Sequence, residues 1–407
     1  MSKLIVTRED YLKYPDALSD AVRDFLVIIK DNLPDVLEAA QSKIPPALTF
    51  MDHRYKLWIK REVKRKGCVK KRHIHKVSDS FLKHAQDYVQ RMFHLPSSEC
   101  VYSYKPGMST KTCASKHVGG FALFKLDISD FFPSITRTMI LRMYEKYFED
   151  LWANCKDSLK KNQITRDSLM ELPRIIAILC TRSDTRENGN TTEPILPIGI
   201  EPAATISNHV LIEVDTLLQQ QCASRQLVYS RYSDNIFISS MNGAHIDREF
   251  QEEVKKMIDE FDFEGTRPFK VNARKTRYSP LWRSQRMLGV IVNIKVNVPK
   301  EREAWLRSAL NHLYHDVKQL YDTLVARGTD VKTLTTSYGK LYRRAQRVFG
   351  QLSYVSSVRK EKYYRYSAQH HAIKLLLEET QLELNVYTEE VAATAGSKAK
   401  AKKGGAS

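Results

Sequence analysis

The sequence predicts an α+β protein of several lobes, with its strands in the middle of the chain and a helical C-terminal third. The chain has 407 residues, of which 42% are hydrophobic, enough to bury two or three packed units. Apolar residues recur at helical spacing over residues 8–41 and again from Pro299 to about residue 382. Short β-prone runs and helices mix between these regions, an order that disfavours a parallel doubly wound sheet.

The first region is helical and basic strands follow it. Helical spacing over residues 8–41 is interrupted at Pro34, which indicates a break in the helix. The very basic stretch of residues 55–77 predicts a hairpin of two strands that turns at Gly67. Asp79 is a good N-cap, so the run after it predicts a helix.

The middle of the chain alternates strands and helices. Residues 121–132 predict a strand, and a helix follows Pro133. A helical insertion at about 155–182 and a polar loop at 186–194 come next, and a long helix begins after Gly199.

A second strand-rich region ends this central part. The segment SRYSDNIFIS, residues 230–239, predicts a hairpin that presents Asp234 at its tip. A charged helix over 247–263 leads to two short predicted strands, KVN (270–272) and RMLGVIVN (286–293).

The charge of the chain suits a polyanionic partner. Its net charge is +18, from 65 Lys and Arg against 47 Asp and Glu, although a merely solvated basic surface would give the same balance. No apolar stretch approaches the roughly 20 residues of a membrane helix, and the N-terminus has no secretory h-region. The six cysteines are scattered without a C-x-x-C pair, which indicates reduced thiols. We therefore expect a cytoplasmic protein.

Two aspartates stand out in the predicted sheet. Along the predicted strand the even positions Ala122, Phe124, Leu126 and Ile128 are apolar, so the odd positions bring Lys125 and Asp127 to the other face. A carboxylate that ends a buried strand is costly unless it meets a cation. Asp127 and Asp234 are hard oxygen ligands of the type that Mg²⁺ prefers, and a pair on adjacent strands could hold two ions. Taken singly, each aspartate is equally an ordinary turn or cap residue.

Seven segments resemble, in the same order, motifs of bacterial reverse transcriptases of the retron, group II intron, abortive-infection and defence-associated kind. They are similar to the palm motifs, the stretch just upstream of the palm, the primer grip and part of the thumb, and with the basic stretch before them they cover about residues 55–355. The segments are CASKHVGG (113–120), FKLDISDFFPSI (124–135), LPIGIEPAATISN (196–208), RYSDNIFIS (231–239), VNARKT (271–276), RMLGVIVN (286–293) and GQLSYV (350–355).

The resemblance implies an α+β right-hand polymerase with fingers, a palm whose antiparallel sheet packs on helices, and a helical thumb. It implies RNA-directed DNA synthesis from dNTPs by two-metal phosphoryl transfer, in a bacterial cytoplasm and in antiphage defence. The implied regions are an N-terminal helical extension (1–50), fingers (51–120), palm (121–150), a fingers insertion (151–195), palm (196–295), thumb (296–385) and a basic flexible tail (386–407).

The resemblance also implies roles for single residues. Asp127, Ile128 and Asp234 would hold Mg²⁺, with Mn²⁺ as the alternative ion. Phe132 would be the aromatic steric gate that excludes a ribose 2′-hydroxyl, with a core phenylalanine as the alternative. Lys275 would protonate the leaving pyrophosphate, with a loop salt bridge as the competing interpretation.

Other residues would bind the nucleotide and the nucleic acid. Arg72 matches the fingers arginine that clamps the triphosphate, assisted by Lys64 or Lys60, and Gly199 lies in the motif near the nascent base pair. In the predicted thumb, cations and aromatic residues interleave in a way that suits a sugar-phosphate backbone. The residues predicted to bind nucleic acid there are Arg343, Arg347, Lys360 and Tyr364.

Two departures from the family pattern bear on activity. Asn235 stands where the hairpin of the family has a second aspartate, and an amide brings no charge to a cation. Since Asp127 and Asp234 are retained, we expect an active enzyme with weakened metal affinity. Ile198 replaces a glutamine, and Glu201 to Ala204 replace Pro-Thr-Ser-Pro, which predicts unusual template use.

Two other functions stay open. A catalytically silent subunit of the same fold, which binds nucleic acid and scaffolds an active partner, fits Asn235 but not the retention of both aspartates. An RNA-dependent RNA polymerase is disfavoured by Phe132. The expected partners are an RNA template and its DNA product. A non-coding RNA, a second protein subunit and further copies of the chain are open alternatives, and no membrane partner is expected.

Overall fold

The computed structural model describes residues 5–63, 69–185 and 193–404, with side chains described in these ranges except at 59–63, 69–72 and 395–404. The chain divides into two compact units, Met1–Arg283 and Ser284–Ser407. This boundary lies ahead of the thumb start predicted at residue 296, so the RMLGVIVN segment belongs to the second unit.

The first unit mixes helices with antiparallel strands, which confirms the α+β class. Single turns of 3₁₀-helix occupy Asp52–Arg54 and Phe132–Ser134. The helices are α1 (Arg8–Lys13), α2 (Pro15–Asn32), α3 (Pro34–Gln41), α4 (Ser80–Met92), α5 (Thr110–Ser115), α6 (Arg137–Lys161), α7 (Arg166–Leu179), α8 (Ala203–His209), α9 (Ile212–Ser224) and α10 (Arg248–Asp259). The strands are β1 (Tyr55–Val63), β2 (Val69–Val77), β3 (Ala122–Asp127), β4 (Leu227–Tyr232), β5 (Asn235–Ser240) and β6 (Arg277–Pro280).

The N-terminal helices pack into the core of the first unit. The apolar stripe of α2 is buried, and the Phe25 ring lies 5.8 Å from the Tyr88 ring of α4 and 5.4 Å from that of Phe93. The Tyr11 hydroxyl donates a hydrogen bond to the Met92 carbonyl oxygen at 2.8 Å. Burial of a stripe this broad fixes α1–α3 on the predicted fingers region.

A four-stranded antiparallel sheet, in the order β4-β5-β3-β6, forms the centre of the first unit. The strands β4 and β5 form the hairpin predicted over residues 230–239, and Tyr232 pairs with Asn235 across a two-residue turn. In β3 every described side chain except that of Lys125 is buried, on both faces of the strand. Strand β3 therefore presents its carboxylate, Asp127, at its end rather than along a solvated face.

The second unit is helical apart from one short hairpin. That hairpin is β7 (Arg286–Met287) with β8 (Val290–Ile291), and it falls in the predicted primer-grip segment. Its helices are α11 (Lys300–Val325), α12 (Val331–Val358), α13 (Lys360–Tyr364) and α14 (Ser367–Gly404). In the part of the chain that the structure describes, no helix has the length and apolarity to cross a bilayer.

Several predicted elements need correction. The long helix expected after Gly199 is two helices, α8 and α9, because the chain leaves helical geometry at Leu211. The segment KVN forms an isolated bridge between Ile128 and Val271 rather than a strand. Helix α14 continues to Gly404, so most of the predicted flexible tail is helical. The predicted turn at Gly67 and most of the predicted polar loop lie outside the described residues.

Candidate active site

The two predicted metal ligands lie at the same edge of the central sheet. Asp127 is the last residue of β3 and pairs with Asn235, the first residue of β5, so Asp234 in the turn adjoins it. The Ile128 N–H donates to the Asp234 carbonyl oxygen at 2.9 Å. Asp127 is 3% exposed, and this convergence of two residues 107 positions apart is what the sequence predicted.

Electrostatics at this edge favour a cation. Burial and the neighbouring Asp127 charge together raise the pKa of Asp234 above its ordinary value. Lys275 Nζ donates to both Asp127 carboxylate oxygens, at 2.7 and 2.9 Å. The salt bridge considered for Lys275 is therefore present, and its role as a proton donor stays a prediction.

Asn235 and Lys125 complete the charge balance. Asn235 Nδ2 donates a hydrogen bond to Asp234 Oδ1 at 2.7 Å. The neutral amide therefore stabilises the Asp234 carboxylate, whereas the charge of a second aspartate at this position would repel it. Lys125 Nζ lies 5.7 Å from the centre of the Phe237 ring, and burial lowers its pKa while the Asp127 charge opposes that shift. Two neighbouring carboxylates, that of Asp127 paired with the Lys275 ammonium group, fit a site for divalent ions.

The structure separates the two phenylalanines that follow Asp127. Phe131 is 3% exposed and packs on Phe269 at 5.4 Å between ring centres. Phe132 is partly exposed, with its ring 5.8 Å from that of Phe131 in an edge arrangement. Phe131 is thus the core residue, which leaves Phe132 available to contact a ligand.

Gly199, one of the predicted nucleotide-binding residues, lies against β2, the strand that carries Arg72. Gly199 has φ +116°, and a Cβ there would lie 2.7 Å from the His75 carbonyl oxygen, so only glycine permits this close approach. The His75 N–H donates to the Ile198 carbonyl oxygen at 2.8 Å. Arg72 lies on the same strand, but its side chain and that of Lys60 lie outside the described residues, as does the whole of Lys64.

His117, in the CASKHVGG segment, is fully buried beneath the hairpin. Its Nδ1 lies 2.7 Å from Ser239 Oγ of β5 and its Nε2 lies 2.6 Å from Ser230 Oγ of β4. Burial lowers the pKa of His117 to about 3, so the imidazole is neutral and joins the two strands by hydrogen bonds.

Sequence reasoning missed a buried network behind the hairpin. Arg231 and Asp215 are both fully buried, and the carboxylate accepts from Arg231 Nε at 2.8 Å and Nη2 at 2.6 Å. The Tyr229 hydroxyl donates to the same carboxylate at 2.7 Å. The available signals were an aspartate next to Val214 in α9 and an arginine inside a β-prone run, because a buried charge at either place needs a partner.

The four predicted thumb contacts lie on exposed positions of α12 and α13. Arg343, Arg347 and Lys360 are exposed, and Tyr364 is 65% exposed. Tyr342, considered as a core residue, is 45% exposed and stacks on Tyr338 at 6.0 Å. Within the described residues, no group of three or more His, Cys, Asp or Glu side chains is arranged to hold a metal ion, so the candidate site rests on the two carboxylates of Asp127 and Asp234.

Comparison with known proteins agrees with the motifs. No family model matches the chain. The chain is 23% identical over 307 residues to the retron Ec86 reverse transcriptase of Escherichia coli, covering 72% of this chain and 81% of that protein. It is 27% identical over 231 residues to the retron Mx65 reverse transcriptase of Myxococcus xanthus, covering 53% and 47%. It is 22% identical over 286 residues to the retron Ec48 reverse transcriptase of Escherichia coli, covering 69% of this chain and 58% of that protein.

Similar solved structures are more distant. Telomerase from Candida albicans, in complex with a TWJ fragment of telomeric RNA, has a TM-score of 0.36 at 10% identity, covering 80% of this chain and 63% of that one. Apo telomerase from Candida tropicalis has the same TM-score and identity, covering 84% and 65%. A likeness at this score adds nothing to the assignment. The sequence comparisons confirm the predicted resemblance: the chain is similar, at 22–27% identity, to bacterial retron reverse transcriptases.

Proposed function

We propose that the chain is a reverse transcriptase, an RNA-directed DNA polymerase that adds dNTPs to a 3′-hydroxyl. The observation that carries the proposal is the pairing of Asp127 with the hairpin that bears Asp234, within segments ordered as in retron relatives. Retention of a half-buried carboxylate beside another has a stability cost that a purely structural protein has no reason to keep.

Asp127, Asp234 and the backbone of Ile128 would hold Mg²⁺, or Mn²⁺ as the alternative. When bound, such ions activate the attacking 3′-hydroxyl and neutralise charge on the leaving pyrophosphate. Lys275 would then give up its contact with Asp127 and stand ready to protonate the pyrophosphate, since its Nζ is already at the site.

Residues around the carboxylates would select and hold the nucleotide. The partly exposed Phe132 ring would exclude a ribose 2′-hydroxyl, which favours dNTPs over NTPs. At Gly199 the backbone lies against β2 with no side chain between them. Arg72 on that strand would bind the triphosphate through bidentate hydrogen bonds. In the second unit, Arg343, Arg347, Lys360 and Tyr364 would contact the sugar-phosphate backbone.

The partners would be an RNA template and the DNA copied from it. The relatives are retron enzymes, which favours a non-coding RNA as the template and a role in bacterial antiphage defence. The replacements at Ile198 and at Glu201 to Ala204 predict that template use differs from that of intron enzymes. A second subunit or further copies of the chain would be additional partners.

Primer extension tests the proposal. The purified chain is given a DNA primer annealed to an RNA template, with either dNTPs or NTPs, in Mg²⁺. We expect dNTP incorporation by the wild type and none by Asp127→Asn. Asp130→Asn is the matched control, because Asp130 is an exposed aspartate of the same motif, and it should retain activity. Incorporation by Asp127→Asn at the wild-type rate would overturn the active-site assignment.

A second candidate is the catalytically silent subunit, which Asn235 favours. In that case the wild type would bind nucleic acid but extend no primer in either metal. A gain of activity in Asn235→Asp would then locate the loss at this residue.

A further inference from the structure

The turn that carries Asp234 has a backbone that needs support. It contains only Ser233 and Asp234, because Tyr232 and Asn235 are already paired. Ser233 has φ +56°, in the left-handed region that residues other than glycine adopt at a cost in energy. Such a conformation persists where surrounding contacts hold it, so the contacts of Ser233 decide where the Asp234 carboxylate stands.

One support comes from Ser103, which is fully buried and lies 130 positions away in sequence. The Ser233 N–H donates to Ser103 Oγ at 2.9 Å, and that hydroxyl donates to Asn208 Oδ1 at 2.8 Å. Asn208 Nδ2 donates in turn to the Ser103 carbonyl oxygen at 2.8 Å. The single hydroxyl therefore joins the turn to the end of α8, with its proton and one lone pair both used.

The carbonyl oxygens of Ser233 and Asp234 also accept hydrogen bonds. Arg231 Nη1 donates to the Ser233 carbonyl oxygen at 3.2 Å, and Arg231 Nη2 donates to the Asn208 carbonyl oxygen at 2.7 Å. The Ile128 N–H holds the Asp234 carbonyl oxygen at 2.9 Å. With the groups on both sides fixed, the carboxylate has side-chain rotation as its main freedom.

The backbone near Ser103 is fixed independently of its hydroxyl. The Arg231 N–H donates to the Cys100 carbonyl oxygen and the Tyr102 N–H donates to the Arg231 carbonyl oxygen, both at 2.9 Å. Residues 100–102 thus lie parallel to β4, as the bridge between Val101 and Arg231 records. Removing the Ser103 hydroxyl would leave this segment in place and take away one hydrogen bond to the turn and one to the Asn208 side chain.

We propose that Ser103 is a positioning residue: its hydroxyl holds the Ser233–Asp234 turn so that the Asp234 carboxylate meets a divalent ion. Ser103 lies outside all seven segments that resemble reverse transcriptase motifs. The proposal rests on the proposed polymerase function for its kinetic consequences, but its effect on ion binding is independent of catalysis.

The test compares Ser103→Ala with Ser240→Ala. Ser240 is a matched control, because it lies on β5 of the same hairpin, is 1% exposed, and its Oγ has no hydrogen-bond partner among the residues that the structure describes. For Ser103→Ala we expect the half-saturating Mg²⁺ concentration in primer extension to rise about three- to tenfold, the effect of losing one buried hydrogen bond. The KM for dNTP should change less, and kcat should recover at high Mg²⁺.

A second readout needs no catalysis. Mn²⁺ binding to the chain without substrate is measured from the EPR signal of the free ion. The affinity should fall by a similar factor in Ser103→Ala and stay unchanged in Ser240→Ala. The midpoint of thermal unfolding of Ser103→Ala should lie only about 2–4 °C below that of the wild type.

Three results would overturn the proposal. The first is equal metal dependence in the two variants, and the second is a lower kcat with unchanged Mn²⁺ binding. The third is a Ser103→Ala chain that does not fold, which would assign the hydroxyl to overall stability. Absence of primer extension by the wild type would instead reject the polymerase function, and the Mn²⁺ measurement would still decide the role of Ser103.

Discussion

Replacing Asp215 by asparagine should destabilise the first unit severely. The carboxylate is fully buried and accepts from Arg231 Nε and Nη2 and from the Tyr229 hydroxyl. Asparagine keeps the shape but removes the charge, which leaves the buried guanidinium without its counter-ion. Breaking a buried pair on one side costs about 3–5 kcal/mol, and the amide oxygen that still accepts one bond favours the lower end, about 3 kcal/mol.

Thermal unfolding followed by circular dichroism measures this cost. A loss of about 3 kcal/mol lowers the midpoint of a unit of this size by about 6–12 °C. Glu213→Gln is the matched control, because Glu213 lies on the same helix and pairs with Lys146 at 3.3 Å with both side chains more than 70% exposed. An exposed pair contributes little, so its midpoint should not move measurably.

The double variant Asp215→Asn/Arg231→Met tests whether the unpaired charge of Arg231 causes the loss of stability. Removing the unpaired charge should recover part of the stability lost in Asp215→Asn, because an apolar side chain carries no desolvation cost. Equal unfolding midpoints for Asp215→Asn and Glu213→Gln would refute the buried ion pair as a source of stability. A double variant less stable than Asp215→Asn would refute the argument that the unpaired charge causes the loss.

Three further predictions concern the same region. Gly199→Ala should impair dNTP incorporation and lower the unfolding midpoint, because its Cβ would meet the His75 carbonyl oxygen at 2.7 Å; Gly243→Ala, at φ +76° with open space around it, isolates the cost of the left-handed backbone alone. The His117 pKa falls from 6.5 in the unfolded chain to about 3 on folding, so the unfolded state binds more protons below pH 6.5 and stability declines from there toward pH 3. At pH 5 the His117 contribution amounts to about 2 kcal/mol relative to pH 7, so urea titrations should show a steeper loss of stability in the wild type than in His117→Gln by about this amount. Asn235→Asp should lower the Mg²⁺ concentration needed for primer extension, because it adds negative charge beside Asp234. An unchanged Mg²⁺ requirement would reject the prediction that Asn235 weakens metal binding.

Local patterns predicted the elements that place the candidate site. The β-prone apolar run of β3 and the apolar runs that flank the turn indicated the strand and the hairpin before any contact was known, although β3 is buried on both faces rather than on one. Asp79 caps α4 as expected, with its side chain accepting from the Phe81 and Leu82 N–H groups. The resemblance to retron enzymes predicted which of many aspartates would converge, a fact that periodicity alone does not contain.

Long-range contacts account for what the sequence did not predict. Ser103 looks like an ordinary polar residue, and only its contacts with the Ser233 N–H and the Asn208 side chain support the positioning role proposed for it. The break at Leu211 arises where α8 and α9 each pack separately, which overrides the continuous helical pattern. Strand β6 escaped prediction because Arg277 to Pro280 has no alternation of apolar and polar residues.

Calorimetric titration of Mn²⁺ into the wild type and Asp234→Asn, without nucleic acid, tests the central claim most directly. If Asp127 and Asp234 together form the metal site, Asp234→Asn should bind Mn²⁺ far more weakly, while Asp130→Asn should bind it as the wild type does. Mn²⁺ binding of equal affinity and stoichiometry in all three chains would contradict the account.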